Sequence, residues 1–247
     1  NVTIRTIELG SERQARLGVG SGIVADADPR REYAECLLKA SFLSGFDPGF
    51  ELVETLRLQA GVYPLLAQHL ERLQASAKTL GFACPLPAVS AKLANEAACR
   101  QRGVYRVRLT LAHDGRCQAV SSPMPNDEGM SWRVVLADEA LEADDYLLRH
   151  KTTARARYDR VLAALAGRAT VFDAIFLNAR GEVCEGARSN VFVERDGILL
   201  TPPVACGLLP GVLRRTLLDS GRAVETVLRL EELVQGPALY VGNALRG

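Results

Sequence analysis

The chain has 247 residues, of which 48% are hydrophobic, and its 30 Lys and Arg almost balance its 29 Asp and Glu. This length and apolar content suffice for one large domain or two small ones. The net charge of +1 argues against an electrostatic nucleic-acid binder, which carries a clear basic excess. No apolar run approaches the roughly 18 residues of a membrane span.

The six cysteines are scattered, and none of them forms a C-x-x-C pair. The three histidines are also far from any metal-ligand spacing, so we expect no structural zinc site. Unpaired cysteines of this kind are typical of reduced thiols in a cytoplasmic protein. The first residues read as a strand and not as a signal peptide, and without an initiator Met we expect the chain to begin inside a longer one.

The first 45 residues predict two strands and a helix, at 2–9, 16–24 and 31–43. A segment of this length cannot bury a core of its own, so we expect the remnant of a larger domain or an appendage. Residues 46–50, which contain Asp47-Pro48-Gly49, read as a linker.

The remaining sequence mixes helical and strand patterns, which predicts an α+β fold. We expect a first lobe at 46–143 and a second at 144–247. Strands are predicted at 51–59, 62–66, 105–112, 132–137, 172–178, 190–195, 198–201 and 238–242. Helices are predicted at 68–80, 87–102, 157–166 and from 210 to about 220, with Gly81 ending the first.

Three motifs in the second half carry candidate chemistry. Lys151 stands alone in His-Lys-Thr-Thr, and Glu185 follows in E-G-x-x-S-N-x-F. The third motif, 207–214, is a Gly-rich turn that runs into a helix start, where free N–H groups favour an anion. Taken singly, such a lysine is usually a surface charge, and the other two are usually only turns.

Taken together, in this order, the motifs resemble the class IV aminotransferase family, the fold-type IV enzymes of pyridoxal phosphate (PLP). That family includes branched-chain and D-amino-acid aminotransferases and 4-amino-4-deoxychorismate lyases. The segments 50–57 and 69–73 also resemble its opening strand and first helix, so the likeness spans about 46–247. It implies an α+β fold with a small α/β lobe and a larger β-rich lobe, and PLP as cofactor.

The resemblance also implies roles for individual residues. Lys151 would bind PLP covalently and later move protons at the substrate carbon. Glu185 would face the pyridine nitrogen and keep it protonated. Arg72 would hold the phosphate, together with the N–H groups of Val212 and Leu213.

Two further contacts follow from the same resemblance. The family places a strand-end Ser or Thr on the phosphate, and the matching place here is Asn243-Ala244, which has no hydroxyl. Tyr158 would contact the ring oxygen of PLP, which requires a two-residue insertion after Lys151. A purely structural role stays open for two of these residues. Arg72 could be a cation on the protein surface, and Tyr158 could be a side chain packed in the core.

Three runs in the N-terminal segment form a further motif: Ile4-Arg5-Thr6, the Gly-rich run 18–29, and residues 32–35 within the predicted helix. Together they resemble the end of the chorismate-binding domain of anthranilate, isochorismate and aminodeoxychorismate synthases. In that family the arginine matching Arg5 contacts chorismate, and the glutamate matching Glu35, with Glu32 as a second candidate, helps to hold Mg²⁺. Most of that domain is absent here, so we expect these residues to be non-functional and the segment to mark a fusion.

A synthase fused to a class IV enzyme points to the lyase that consumes the synthase product. We therefore expect a 4-amino-4-deoxychorismate lyase, acting as a homodimer, and a glutamine amidotransferase as partner of the full-length fusion. The alternatives are a D- or branched-chain aminotransferase of the same fold and a non-catalytic fragment. For the substrate carboxylates the candidates are Arg106, Arg108, Arg155, Arg157 and Arg188.

Overall fold

The computed structural model describes residues 6–10, 14–22, 24–25, 27–44, 47–125, 132–168, 170–235 and 238–247. The chain divides into two units, Asn1–Gly49 and Phe50–Gly247. Among the described helices, none has the length and apolar character needed to cross a membrane.

The first unit contains two strands and a helix in the predicted order, but the second strand ends at Leu17 and not at 24, and residues 2–5 of the first predicted strand lie outside the described residues. Strands β1 (Ile7–Leu9) and β2 (Ala15–Leu17) form an antiparallel pair, and helix α1 follows at Pro29–Ser44. The unit leaves large apolar side chains exposed, such as Leu9 at 84% and Leu38 at 72%. This exposure agrees with a segment too short to bury its own core.

Of the two glutamates to which the resemblance assigns a metal role, Glu35 is exposed and Glu32 is partly buried. Glu35 makes an exposed ion pair with Lys39 at 2.7 Å, and Glu32 lies in the first turn of α1. Over the described ranges, no group of three His, Cys, Asp or Glu side chains could hold a metal ion. Arg5 lies outside the described residues.

The second unit begins with an antiparallel sheet of three strands that packs on two helices. Its elements are β3 (Leu52–Gln59), α2 (Leu66–Leu80), α3 (Leu86–Cys99), β4 (Val104–Leu111) and β5 (Cys117–Pro123). Alternate residues of β3 enter the core with α2 and α3, as Leu52, Leu56 and Leu58 are all buried. Gly81 ends α2 in the left-handed conformation, as predicted.

The predicted return strand at 62–66 is wrong. Val62 makes only an isolated bridge back to Gln59, and the chain enters α2 at Leu66. Pro64 has no N–H with which to continue a ladder. The pairing partner of β3 is β4 instead, from Leu52 opposite Leu111 to Gln59 opposite Val104.

The rest of the second unit contains two further sheets. Strands β6 (Arg133–Leu136), β7 (Val171–Leu177) and β8 (Val183–Gly186) form one in that order, with β6 parallel to β7. The other has the order β11-β10-β9-β12, from β9 (Asn190–Arg195), β10 (Ile198–Thr201), β11 (Ala223–Glu225) and β12 (Ala238–Gly242). The helices are α4 (Ala156–Ala164), α5 (Val212–Asp219) and α6 (Leu230–Gln235).

These elements confirm the α+β class. Strands β9, β10 and β12 have the predicted bounds, whereas β5, β8, β11 and α6 were not predicted. The lobe boundary at 143 stays a prediction, and β6, which precedes it in sequence, pairs with β7, which follows it.

Gly207 is a position where the fold requires glycine. Its φ is +91°, and an added Cβ would lie 2.7 Å from Cα of Ala143. Because that neighbour is backbone, it cannot rotate away, so a side chain would displace the loop that leads to α5.

We predict that Gly207→Ala lowers the free energy of unfolding by about 3 kcal/mol, from left-handed strain plus overlap. Gly221→Ala is the matched control, since Gly221 has φ +70° but no atom within 4 Å of an added Cβ. It should cost only about 1 kcal/mol, from strain alone. Urea unfolding measures both, and equal losses would contradict the steric argument.

Candidate active site

The position of Lys151 is set by backbone pairing with β3. The N–H of Val53 donates to the carbonyl of Lys151 at 2.8 Å, and the N–H of Thr153 donates to the carbonyl of Glu51 at 2.9 Å. The Thr153 hydroxyl also accepts from the N–H of Glu51 at 2.9 Å. The lysine is therefore held in extended backbone at the edge of a sheet, although it lies about a hundred residues further along the chain.

The amine of Lys151 lines a cavity of about 270 Å³. Burial lowers its pKa to about 8, and the charge of Arg72 adds to this effect. The carboxylates of Glu54 and Glu185 oppose the shift without cancelling it. Near neutral pH this amine is therefore neutral far more often than an ordinary lysine, and a neutral amine is the nucleophilic form.

Glu185 lies at the end of β8, in the same cavity. Its Oε1 accepts from the Tyr158 hydroxyl at 2.6 Å, and its Oε2 accepts from the N–H of Leu209 at 3.1 Å. Burial raises the pKa of Glu185 to about 7, although both hydrogen bonds and the charge of Lys151 act against the shift. The carboxyl can therefore hold or share a proton near neutral pH.

The hydroxyl of Tyr158 is hydrogen-bonded to the carboxyl of Glu185. Burial, followed by the charge of Glu185, raises the pKa of Tyr158, so its hydroxyl remains a donor. Its ring packs edge-on against Phe176 at 5.1 Å, and the guanidinium of Arg155 lies 5.4 Å from the ring centroid. The side chain is thus both packed and hydrogen-bonded, and its contact with a PLP ring oxygen stays a prediction.

Arg72 is held by the buried carboxylate of Glu54. Nη2 and Nε of Arg72 donate to Glu54 at 2.6 and 2.9 Å, and Nδ1 of His69 lies 2.6 Å from the same group. Burial alone would raise the pKa of Glu54, but the charge of Arg72 and the hydrogen bonds from His69 and Arg72 lower it to about 2. Arg72 is 13% exposed, so the surface-cation alternative does not apply.

The start of α5 lies beside Arg72, whose Nη1 is 3.4 Å from the carbonyl of Pro210. N–H groups in the first turn of a helix have no partner within the helix, so those of Val212 and Leu213 are available to an anion. Val212 lines the 270 Å³ cavity, whereas Leu213 lines a neighbouring one of about 430 Å³. Arg72 and the N–H groups of Val212 and Leu213 together form a site suited to an anion, which we call the anion cradle.

Asn243 holds the turn after β12. Its Oδ1 accepts from the N–H groups of Leu245 and Arg246 at 3.0 and 3.1 Å, and its Nδ2 donates to the carbonyl of Arg188 at 3.0 Å. Ala244, in the same turn, lines both cavities. Asn243 therefore fixes the turn that forms this part of the cavity wall, while Ala244 has no hydroxyl to offer the cofactor phosphate.

The donor set of the cavity fits PLP. An amine of lowered pKa suits the aldehyde, a buried carboxylate whose raised pKa makes it a stronger proton acceptor suits a protonated pyridine nitrogen, and the anion cradle suits the phosphate. Apart from Leu213, all the residues proposed for these roles line the 270 Å³ cavity. The roles themselves remain predictions, because they rest on this chemical match.

Two buried carboxylates were missed in the sequence. Glu54 orients Arg72, and Asp173 accepts from the Ser189 hydroxyl at 2.5 Å and from the N–H of Arg188 at 3.2 Å. Asp173 therefore holds the turn that follows Glu185. A lone acid inside an apolar strand, as in LVETLRL and VFDAIFL, is the signal that could have identified both.

We predict that Glu54→Gln lowers the free energy of unfolding by roughly 3–5 kcal/mol, because it leaves Arg72 buried without its counter-charge. The charge of Glu54 contributes stability above about pH 4.5, and this contribution is lost as the pH falls toward about 2. The variant should therefore lack that part of the acid dependence, which urea unfolding at several pH values measures.

Glu71→Gln is the control, since Glu71 makes an exposed ion pair with Arg215 at 3.4 Å. Exposed pairs contribute at most about 1 kcal/mol. If the two variants lost the same stability, Glu54 would not be the buried anchor that its hydrogen bonds indicate.

Comparison with known proteins gives two family matches along the chain. The amino-transferase class IV family matches residues 51–247, and the chorismate binding enzyme family matches residues 1–45. A Schizosaccharomyces pombe protein provisionally named an aminodeoxychorismate lyase is 28% identical over 187 residues, which are 74% of this chain and 80% of that protein.

Solved structures show the same fold. A Mesorhizobium loti protein provisionally named an amino-acid aminotransferase is 40% identical with a TM-score of 0.76, over 80% of this chain and 96% of that one. A hypothetical aminotransferase from Mycobacterium tuberculosis, in PLP-bound form, is 24% identical with a TM-score of 0.68, over 81% and 78% of the two chains. The chain belongs to the class IV amino-transferase family and shares its cofactor, PLP.

Proposed function

We propose that this protein is a 4-amino-4-deoxychorismate lyase, which converts its substrate to 4-aminobenzoate and pyruvate. The observation that carries the proposal is the order of the two family matches in one chain. A chorismate-binding segment directly precedes a PLP enzyme, and the product of aminodeoxychorismate synthase is the substrate of the lyase. The similarity to the S. pombe protein supports the same assignment.

The charge of the cavity supports an anionic substrate. Five arginines line it, against the two carboxylates of Asp145 and Glu185; they are Arg72, Arg106, Arg155, Arg188 and Arg246. Aminodeoxychorismate carries two carboxylates, so it suits a cavity with more cations than the cofactor phosphate needs. Of the arginines proposed from the sequence, Arg108 and Arg157 do not line this cavity.

Individual residues of the chain then have defined roles in the proposed reaction. Bound PLP supplies an electron sink for the charge left when a C–H bond is broken. The neutral amine of Lys151, with its pKa of about 8, takes the proton from C4 of the substrate. Glu185, held by Tyr158 and Leu209, keeps a proton on the pyridine nitrogen.

The overall reaction balances without a further reactant. As the C4 proton leaves, the bond between C3 and the enolpyruvyl oxygen breaks, and the ring becomes aromatic. The released enolpyruvate takes up a proton and becomes pyruvate. Aromatisation supplies much of the driving force.

Two alternatives to the lyase are an aminotransferase and a non-catalytic fragment, and the first has support of its own. The 40% identity to the M. loti protein favours an amino-acid aminotransferase, which would need a 2-oxo acid as second substrate. A non-catalytic fragment that serves only as a domain partner would bind PLP poorly. The cytoplasmic location, the homodimer and the glutamine amidotransferase partner of a longer fusion are part of the proposal by family resemblance.

The lyase assignment predicts equimolar pyruvate and 4-aminobenzoate from aminodeoxychorismate, made in place from chorismate by a separate synthase. Lys151→Ala should lose this activity by at least about a hundredfold, the scale of general acid–base catalysis. Transamination of amino acids without release of pyruvate would instead establish the aminotransferase. No PLP absorbance band and no turnover would favour the non-catalytic fragment.

The pKa of Lys151 predicts how PLP attaches to the apoprotein. Attachment needs the neutral amine, so its rate should rise with pH and level off above about pH 8. Stopped-flow absorbance measures the rate, with Nα-acetyl-lysine and PLP as the reference reaction for an unperturbed amine. A rate that keeps rising beyond pH 10, like the reference, would contradict the lowered pKa.

A further inference from the structure

His69 has one ring nitrogen in a hydrogen bond and the other without a partner. Its Nδ1 lies 2.6 Å from Oε2 of Glu54, whose pKa of about 2 leaves the carboxylate ionised at neutral pH. An ionised carboxylate only accepts hydrogen bonds, so Nδ1 carries the hydrogen between them. Nε2 is buried, and within the described part of the chain it has no hydrogen-bond partner. A buried nitrogen in this state is rare, and a ligand bound in the cavity would supply the missing partner.

The ring of His69 borders the anion cradle. Residues 69 and 72 are three apart on α2, so they lie on one face of the helix, and both reach Glu54 on β3. His69 lines the 270 Å³ cavity with Arg72 and Val212, and it lines the neighbouring cavity with Leu213. Because His69 is only 3% exposed, its free nitrogen can meet a ligand only through these cavities.

The charges around His69 favour an anion beside Nε2. The titratable groups that face it, from β3, the loop before α2, α2 itself, the lysine segment and the turn after β12, are Glu54, Arg57, Tyr63, Arg72, Lys151 and Arg246. Burial raises the pKa of Tyr63 to about 12, so Glu54 is the anion of this set, and Arg72 already pairs with it. A proton on Nε2 would add a further positive charge, which a phosphate bound in the cradle balances.

We propose that Nε2 of His69 donates a hydrogen bond to the phosphate of PLP, so that both ring nitrogens carry a hydrogen in the bound state. A phosphate monoester has its second pKa at about 6, so near neutral pH it is mainly a dianion, which only accepts hydrogen bonds. The imidazolium then lies between two anions, Glu54 and the phosphate, and a buried charge needs such partners. The inference goes beyond the proposed lyase, because any PLP reaction at this site uses the same phosphate.

The test compares two ligands that differ only in the phosphate, pyridoxamine phosphate and pyridoxamine. Neither ligand has an aldehyde, so Lys151 cannot attach to it, and binding is measured apart from the covalent step. Dissociation constants for the apoprotein come from the fluorescence of the pyridine ring. The dissociation constant of pyridoxamine divided by that of pyridoxamine phosphate measures what the phosphate contributes to binding.

The informative variant is His69→Asn. It removes Nε2 but keeps a donor to Glu54, because the amide nitrogen of Asn takes about the place of Nδ1. We expect the ratio of dissociation constants to fall about 10- to 100-fold, the range of a hydrogen bond to a charged group. Binding of pyridoxamine itself should change little, which shows that the site is still assembled.

His150→Asn is the matched control. His150 lines the same 270 Å³ cavity, and its Nδ1 lies 3.0 Å from Oγ of Ser76. Burial, followed by the charge of Arg149, lowers the pKa of His150, so its replacement removes no charge near neutral pH. The control should leave the ratio within about twofold of wild type, since a change away from the phosphate affects both ligands alike. An unchanged ratio in His69→Asn, or an equal fall in His150→Asn, would overturn the inference.

A second measurement needs no variant. The chain has three histidines, at positions 69, 113 and 150, so ¹⁵N-histidine labelling with NMR can separate them. With pyridoxamine phosphate bound near neutral pH, both ring nitrogens of His69 should carry a hydrogen, and a lone pair on Nε2 would refute the proposed contact. Neither measurement uses the release of pyruvate, so this inference and the lyase assignment fail in different experiments.

Discussion

Strand β3 contributes to the site through both its backbone and one buried side chain. Its backbone pairs with residues 151–153, which sets the position of the lysine, and Glu54 binds Arg72, which forms one wall of the anion cradle. The distance between the amine and the cradle therefore depends on a single strand. The sheet and the two helices that pack on β3 bury that strand.

Burial moves the pKa values of the two central groups in opposite directions. It lowers the pKa of the Lys151 amine to about 8 and raises that of the Glu185 carboxyl to about 7. Both shifts favour the neutral form, as expected when a charged group leaves water. The amine thus becomes available as a nucleophile and base, while the carboxyl becomes a stronger proton acceptor, in one cavity near neutral pH.

Periodicity and turn residues predicted most of the helices, the strands β9, β10 and β12, and the α+β class. The sequence could not give β5, whose Gln and Ser residues blur the alternation, and it suggested a strand at 62–66 where Pro64 interrupts pairing. Motif resemblance pointed to Lys151, Glu185 and Arg72, which the structure brings together in one cavity. Glu54 and Asp173 received no role from it. A lone acid inside an apolar strand marks each as a candidate buried carboxylate, but its partner, Arg72 or Ser189, is set by the fold.

We propose that Lys151 carries the cofactor, and this assignment is tested most directly by finding which lysine binds PLP. The chain has only four lysines, at positions 39, 78, 92 and 151, so covalent labelling can separate them. The PLP-loaded protein is reduced with borohydride, digested, and mapped by mass spectrometry. We expect the cofactor's mass on the peptide that contains Lys151 and on no other. A label on Lys39, Lys78 or Lys92, or no label in a protein that retains PLP, would contradict it.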